Sequence, residues 1–277
     1  MRAAHVPLPA SWRVRGPEGP WHGVRADLAR TGTALVHSRV TDWASVREDE
    51  SAMRTLLGHE APRWARMPRT AVRGRFGVSR LLLKHALGAV IGAPPAGVEL
   101  AKRPAGGPYA RGCDRIEVSL SHTDDIVLVG LGSVGPIGVD VERADRSLLR
   151  GGLEREICTP AELAELHRLP PELHNTALVR TWTLKEAYSK AVGQGLRFPF
   201  GEFGFTPSGP APRLCGPGGE PADSGAWRFR TGELDGDYTA AVAVLDAGRG
   251  LLPDDGAVEL IDHEVALMIS SWSAAAL

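Results

Sequence analysis

The sequence predicts an α+β fold in two similar halves side by side, each an antiparallel sheet packed with helices. Extended apolar runs come in neighbouring pairs, 116–120 with 126–131 and 227–230 with 238–245. Helical patterns are segregated from those pairs within each half. Residues 132–136, carrying Gly132, Gly135 and Pro136, form a hinge between the halves, although no direct internal repeat is visible.

The elements follow in order. Residues 1–60 are rich in proline, glycine and charge and read as a variable extension, with one apolar strand candidate at 33–40. A basic stretch, Arg63, Arg66, Arg69, Arg73, Arg75, Arg80 and Lys84, runs into a helix whose apolar positions Leu82, Ala86 and Val90 recur at helical spacing. Gly92 and Pro94 end it. The strands 116–120 and 126–131 make a hairpin with Ser121-His122-Thr123-Asp124-Asp125 at its turn, and a further strand, 137–142, opens the second half. Thr159-Pro160-Ala161-Glu162 combines an N-cap hydroxyl, a first-turn proline and a glutamate three residues after the cap, so a helix should begin there. A longer helix is predicted over 175–192, stopped by Gly193 in a left-handed position. Residues 207–225 form a Pro/Gly-rich loop, and 238–245 is a continuous apolar run suited to a buried strand.

In Ile137-Gly-Val-Asp-Val-Glu142 alternate side chains share a face, so Asp140 and Glu142 are expected on a wet side while Ile137, Val139 and Val141 enter a core. Such a pair is ordinarily just a solvated sheet face. Here a third acid, Glu186 in Trp182-Thr-Leu-Lys-Glu-Ala-Tyr-Ser-Lys190, sits on a helix with Lys190 one turn beyond it on the same side. Three carboxylates and an ammonium then flank one ligand.

Composition narrows the class. A net charge of -1 gives no reason to expect nucleic acid or an anionic membrane as partner. Cys113, Cys158 and Cys215 form no C-x-x-C pair, which argues against a disulfide framework or structural zinc and for a reducing, cytoplasmic setting. The first twelve residues carry Pro7 and Pro9 without a sustained apolar stretch, unlike a secretory signal. No stretch approaches the roughly 20 apolar residues of a membrane span.

Gly138-Val-Asp-Val-Glu142, Trp182-x-x-Lys185-Glu186-Ala187-x-x-Lys190-x-x-Gly193-x-Gly195-Leu196 and Ser119-Leu-Ser-His122-Thr123 together resemble the 4'-phosphopantetheinyl transferases of the larger, surfactin-synthetase-activating type. The similarity runs over about residues 60–245. It implies a pseudo-dimer of two α+β halves, 1–135 and 136–277, with the active site between them. It also implies that a monomer transfers the 4'-phosphopantetheine moiety of coenzyme A to a serine of an apo acyl or peptidyl carrier domain, releasing 3',5'-ADP, in polyketide or nonribosomal peptide biosynthesis. The small trimeric holo-carrier-protein synthases share both acidic motifs, but their chains correspond to only one half.

What coenzyme A demands orders the residues. A serine hydroxyl attacks the phosphorus bonded to the pantetheine oxygen, and charge gathers on the departing phosphate. Mg²⁺, with Mn²⁺ as the alternative, suits that charge because it binds through a few carboxylates plus phosphate oxygens and water. Asp140, Glu142 and Glu186 would supply the metal site, Glu142 either directly or through a water, and Glu186 would also orient or deprotonate the serine. Lys190 would meet the diphosphate. Lys185 points elsewhere on a regular helix, yet it belongs to the family motif and is therefore also expected at the cofactor. A lone histidine near a strand end is ordinarily structural. The resemblance instead assigns Ser121 and His122 to the coenzyme A phosphates, and Arg75 and Arg80 to the 3'-phosphate ahead of Arg69 and Lys84.

One departure stands out. The family carries Gly-Lys-Pro or Gly-Arg-Pro before the Ser-His hairpin. Here the match is either Gly106-Gly107-Pro108, with glycine at the basic position, or Lys102-Arg103-Pro104 in a shifted loop. Carrier domains are helical and acidic, so a docking surface is expected at 158–178 or at 196–205, which holds Phe198, Phe200 and Phe203. The alternative function is a non-catalytic module binding coenzyme A or a carrier domain, against which the intact Asp140, Glu142, Glu186 and Lys190 speak. A Mg²⁺-dependent phosphohydrolase is disfavoured by the lack of a P-loop or a G-x-S-x-G elbow.

Overall fold

Every second residue of the central strands faces the opposite way, and this alternation builds four layers: helix, sheet, sheet, helix. The computed structural model describes residues 8–252, apart from 69, 105, 150–151, 196–197, 207–210 and 223–224. Arg69, Leu196 and part of the 207–225 loop thus lie outside the described residues.

The first half runs β1 (Trp12–Arg13), α1 (Trp21–Thr31), β2 (Thr33–Arg39), α2 (Ala44–Glu48), α3 (Glu50–Leu57), α4 (Ala61–Ala65), α5 (Thr70–Ile91), β3 (Leu100–Lys102), β4 (Pro108–Ala110), β5 (Glu117–Thr123) and β6 (Ile126–Gly132). Its main sheet has the order β1-β2-β6-β5, antiparallel except for the β1–β2 pair. The second half runs β7 (Ile137–Arg143), α6 (Glu154–Ile157), α7 (Pro160–Arg168), α8 (Pro171–Ala191), β8 (Gly204–Phe205), β9 (Leu214–Cys215), β10 (Trp227–Leu234) and β11 (Tyr238–Leu245). Its main sheet is antiparallel, in the order β10-β11-β7.

Ala34, Val36, Val127 and Val129 pack with Val78, Leu82 and Ala86 of α5. The intervening Leu35, Ile126 and Leu128 face the other sheet, where Ile137, Val139, Val141, Val242 and Val244 meet them. On the far side Ala241, Ala243 and Phe229 pack against Leu184, Ala187 and Tyr188 of α8. Each buried aliphatic side chain contributes about 1.5–3 kcal/mol, so these three interfaces fix the sheets and the two long helices relative to one another. Among the described residues no helix is long and apolar enough to cross a membrane.

Three expectations change. Residues 8–60 are no mere decoration: Val24, Leu28, Trp43, Met53 and Leu57 are buried in the first core, and β2 lies inside the sheet. Ser121, His122 and Thr123 belong to β5 rather than to the turn, since His122 pairs with Val127 and Thr123 with Ile126. Only Asp124 and Asp125 turn the chain, Asp124 at φ +44°, a left-handed conformation that a short polar side chain tolerates. Helix α8 begins at Pro171 rather than near 175, because a proline fits the first helical turn. The capping box of α7 is present, with Thr159 Oγ1 accepting from Glu162 N at 3.2 Å and Glu162 Oε2 accepting from Thr159 N at 2.9 Å.

Candidate active site

Gly138 sets the site. A Cβ built there would stand 1.8 Å from the carbonyl oxygen of Ala187 and 2.6 Å from Ala191 N, so only glycine lets the α8 backbone lie directly on β7. Asp140 and Glu142 share the face of Gly138 and therefore lie under the helix. Asp140 is consequently not on a wet side; α8 covers it and leaves it 4% exposed.

From α8, Trp182, Glu186 and Lys190 come down on this face at intervals of one turn. Lys190 Nζ donates to Asp140 Oδ1 at 2.7 Å, to Val139 O at 3.2 Å and to Ser121 Oγ at 3.1 Å. The Ser121 hydroxyl, reaching across from β5, donates to the same Asp140 oxygen at 2.7 Å, and Ser119 Oγ accepts from Val139 N at 3.0 Å. Trp182 Nε1 donates to Glu142 Oε1 at 3.1 Å, and Arg146, which pairs with the same oxygen, lies 5.4 Å over the Trp182 ring.

Two oxygens are left over. Asp140 Oδ2 and Glu186 Oε1 are buried without a hydrogen-bond partner among the described residues. Burial first, then the charge of Asp140, pushes the Glu186 carboxyl up to about 7, with Lys190 opposing and Glu142 adding to the rise. Glu142 is likewise pushed up, by burial and then by Asp140. Among the described residues, however, no three acidic, histidine or cysteine side chains stand together closely enough to hold a metal ion. The expected convergence of three carboxylates is thus not preformed, and two cations, Lys190 and Arg146, neutralise Asp140 and Glu142. Orphaned hard oxygens beside mutually repelling acids nevertheless fit a Mg²⁺ site of the open kind, in which the protein offers a few carboxylate oxygens and substrate phosphates supply the rest.

Two cavities meet at Leu120 and Lys190. One, about 580 Å³, is lined by Ser121, His122, Asp140, Glu142 and Arg146. The other, about 610 Å³, is lined by Arg80, Lys102, Arg103, Gly107 and Glu186. Together they run from the acid cluster to a basic wall, with groups from both halves along the way. Arg75 Nη1 donates to Asp124 O at 3.0 Å, and Arg80 grips Glu60 with two bonds of 2.8 and 3.1 Å. His122 is exposed on its strand, and partial desolvation of its ring, followed by the charges of Arg75, Lys190 and Arg80, holds that imidazole below its ordinary value. Lys102-Arg103 and Gly107 stand on one wall, joined by the bond from Arg103 N to Gly107 O at 2.8 Å, and a Cβ at Gly107 would meet nothing within 4 Å. Lys84 is buried and lines neither cavity.

Lys185 is a correction. It is 0% exposed, and its ammonium donates to the carbonyls of Ile157 at 2.7 Å, Phe200 at 2.6 Å and Phe203 at 2.7 Å while pairing with Glu162 Oε2 at 2.6 Å. One residue before Glu186 is about 100° around the helix, which points Lys185 into the body of the second half and away from the cleft. It ties the N-terminus of α7 to α8 and touches neither cavity. Phe198, Phe200 and Phe203 pack into the aromatic cluster around Tyr188. The 158–178 region instead borders a cavity of about 380 Å³ with Leu166, Leu169, Leu173 and Phe205 on its walls.

Arg146 and Glu60 escaped the sequence reading, since both act across turns whose course no periodicity reveals. Trp182 carried a usable signal, its position one turn before Glu186.

A model of the 4'-phosphopantetheinyl transferase superfamily matches residues 136–243, the stretch that holds Asp140, Glu142, Glu186 and Lys190. The 4'-phosphopantetheinyl transferase HetI of Nostoc sp. is 31% identical over 205 residues, covering 72% of this chain and 81% of that protein. A 4'-phosphopantetheinyl transferase of Bacillus subtilis is 22% identical over 159 residues, covering 57% and 70% respectively. The crystal structure of a holo-(acyl-carrier-protein) synthase from Bacillus anthracis aligns with a TM-score of 0.34 at 23% identity, covering 40% of this chain and 95% of that chain. With its acid strand, its motif helix and a relative matched along most of both chains, the protein belongs to the 4'-phosphopantetheinyl transferase superfamily.

Proposed function

We propose that this chain transfers the 4'-phosphopantetheine moiety of coenzyme A to a serine of an apo carrier protein, with Asp140, Glu142 and Glu186 holding Mg²⁺. The supporting observation is the pair of buried carboxylate oxygens, Asp140 Oδ2 and Glu186 Oε1, that have no partner among the described residues, beside Lys190 where the two cavities join. The cation, when bound, supplies Lewis-acid polarisation of the diphosphate. The rest is done by side chains. His122, with Arg75 nearby, binds phosphate oxygens, and Arg80 and the Lys102-Arg103 wall take the nucleotide's 3'-phosphate. Lys190 neutralises charge on the diphosphate. Glu186 orients the carrier serine and accepts its proton. The serine oxygen–phosphorus bond forms as the bond from phosphorus to the bridging oxygen breaks, and 3',5'-ADP leaves with that electron pair.

The test is intact-mass measurement on a panel of apo carrier domains incubated with coenzyme A and Mg²⁺. One added phosphopantetheine is expected, lost in Asp140→Ala and on chelation. No gain on any carrier by the wild-type protein would overturn the proposal in favour of a binding module.

A further inference from the structure

We infer that Tyr238, Asp125 and Arg39 form a latch that positions His122 and thereby sets the affinity for coenzyme A. This inference rests on the proposed coenzyme A site. His122 lies two residues before the β5–β6 turn, and that turn is held from several sides. Asp124 adopts φ +44°, a left-handed conformation open to an aspartate, and contacts from outside the hairpin add to its hold. Arg75 of α5 holds its carbonyl. Val40 N donates to Asp125 O at 2.7 Å.

The Asp125 carboxylate is gripped twice. Arg39 of β2 donates to Oδ2 at 3.0 Å, and the Tyr238 hydroxyl, from the other half, donates to Oδ1. Arg39 in turn donates to Asp235 Oδ2 at 2.9 Å, in the turn between β10 and β11. Its guanidinium stands 5.6 Å from the centre of the Tyr238 ring. The two hairpin turns of the separate halves are thus bound through one arginine, one tyrosine and two aspartates.

Placement gives the latch its consequence. In the β11–β7 ladder Tyr238 lies opposite Arg143, Thr239 opposite Glu142 and Ala241 opposite Asp140. The strand that fixes the acids therefore also carries the hydroxyl that fixes the histidine hairpin. Asp124 and Arg143, the neighbours of Asp125 in the chain and of Tyr238 in the ladder, stand on the wall of the 580 Å³ cavity from opposite halves and approach to 3.8 Å. Tyr238 itself is 2% exposed and lines neither cavity of the site, which makes it a positioning residue without substrate contact.

The test is a double-mutant cycle read by calorimetric titration of coenzyme A and by kcat and KM for transfer. Tyr238→Phe removes one hydroxyl and keeps the ring. Its Kd and KM for coenzyme A are expected to rise about five- to tenfold with kcat within about twofold, the scale of one ordinary hydrogen bond, since the hydroxyl acts on the ligand only through His122. In a His122→Ala background the same change should cost nothing further, a coupling that general loosening of the fold would not produce. Asp125→Asn, which keeps an acceptor and loses the charge, provides the second variant if Tyr238→Phe folds poorly. An unchanged Kd, or the same factor in the presence and absence of His122, overturns the latch. A wild-type protein that binds coenzyme A but transfers nothing overturns only the proposed function, and one that does not bind it overturns both.

Discussion

Gly138→Ala tests the claim that the geometry of the proposed site hangs on one backbone contact. Ordinary contact begins at 3.4 Å, whereas the new methyl would stand 1.8 Å from the Ala187 carbonyl oxygen, so α8 must retreat by about 1.6 Å. Neither atom belongs to a flexible side-chain end, and rotamer change gives no relief. Glu186 and Lys190 flank the displaced turn and move with it, away from Asp140. A misplacement near 1 Å is worth roughly a hundredfold in rate, and forcing a methyl into a packed interface costs about 1–3 kcal/mol. The expected outcome is a kcat at least about a hundredfold lower, with a melting temperature reduced by several degrees and the protein still folded. Holo-carrier formation followed by mass, alongside thermal unfolding, reads both. Gly232→Ala, where a Cβ meets nothing within 4 Å, is the control and should match wild type. A Gly138→Ala protein with wild-type kcat and melting temperature would refute the contact as the organiser of the site.

The raised Glu186 carboxyl makes a pH prediction. Between the ordinary 4.5 and about 7 the folded chain keeps a proton that the unfolded chain releases, so stability in metal-free buffer falls as pH rises through that window, on the order of 3 kcal/mol in all. Denaturant melts should show this slope in wild type and a smaller one in Glu186→Gln, the remainder coming from the likewise raised Glu142; equal slopes in both proteins would contradict the assignment. Lys185→Met strands the Glu162 carboxylate in the interior and is expected to cost about 3–5 kcal/mol of stability. Coenzyme A affinity of the folded protein should not change, and a selective loss of that affinity would return Lys185 to the cleft.

What was legible in the sequence was what short-range periodicity carries. Alternation along 137–142 set Asp140 and Glu142 on one face, and helical spacing set Trp182, Glu186 and Lys190 on another. The capping box at Thr159 was equally local. What periodicity cannot state is which face is covered. Asp140 was expected in water and is buried, because the close approach of α8 depends on Gly138 and on residues some 50 positions away. The fate of Lys185 turned on the same gap: the motif named it, but only the packing of Ile157, Phe200, Phe203 and Glu162 around the ammonium shows that it serves the interior. Residues 8–60 misled for another reason, since short helices rich in charge and proline conceal a composition that nonetheless delivers Trp43 and Met53 to the core.

The boundary between β5 and β7 has a mechanical meaning. Among the described residues no main-chain hydrogen bond crosses it; Ser119, Ser121 and Lys190 do the joining with their side chains. Parting the strands there tears no ladder, but it breaks charge-assisted bonds worth about 1.5–3 kcal/mol each and exposes the apolar layer of Leu35, Leu128 and Val139 between the sheets. The seam at which the proposed coenzyme A site opens is therefore held by side chains, and a substitution at Ser119, Ser121 or Lys190 acts on it without touching either sheet's ladder.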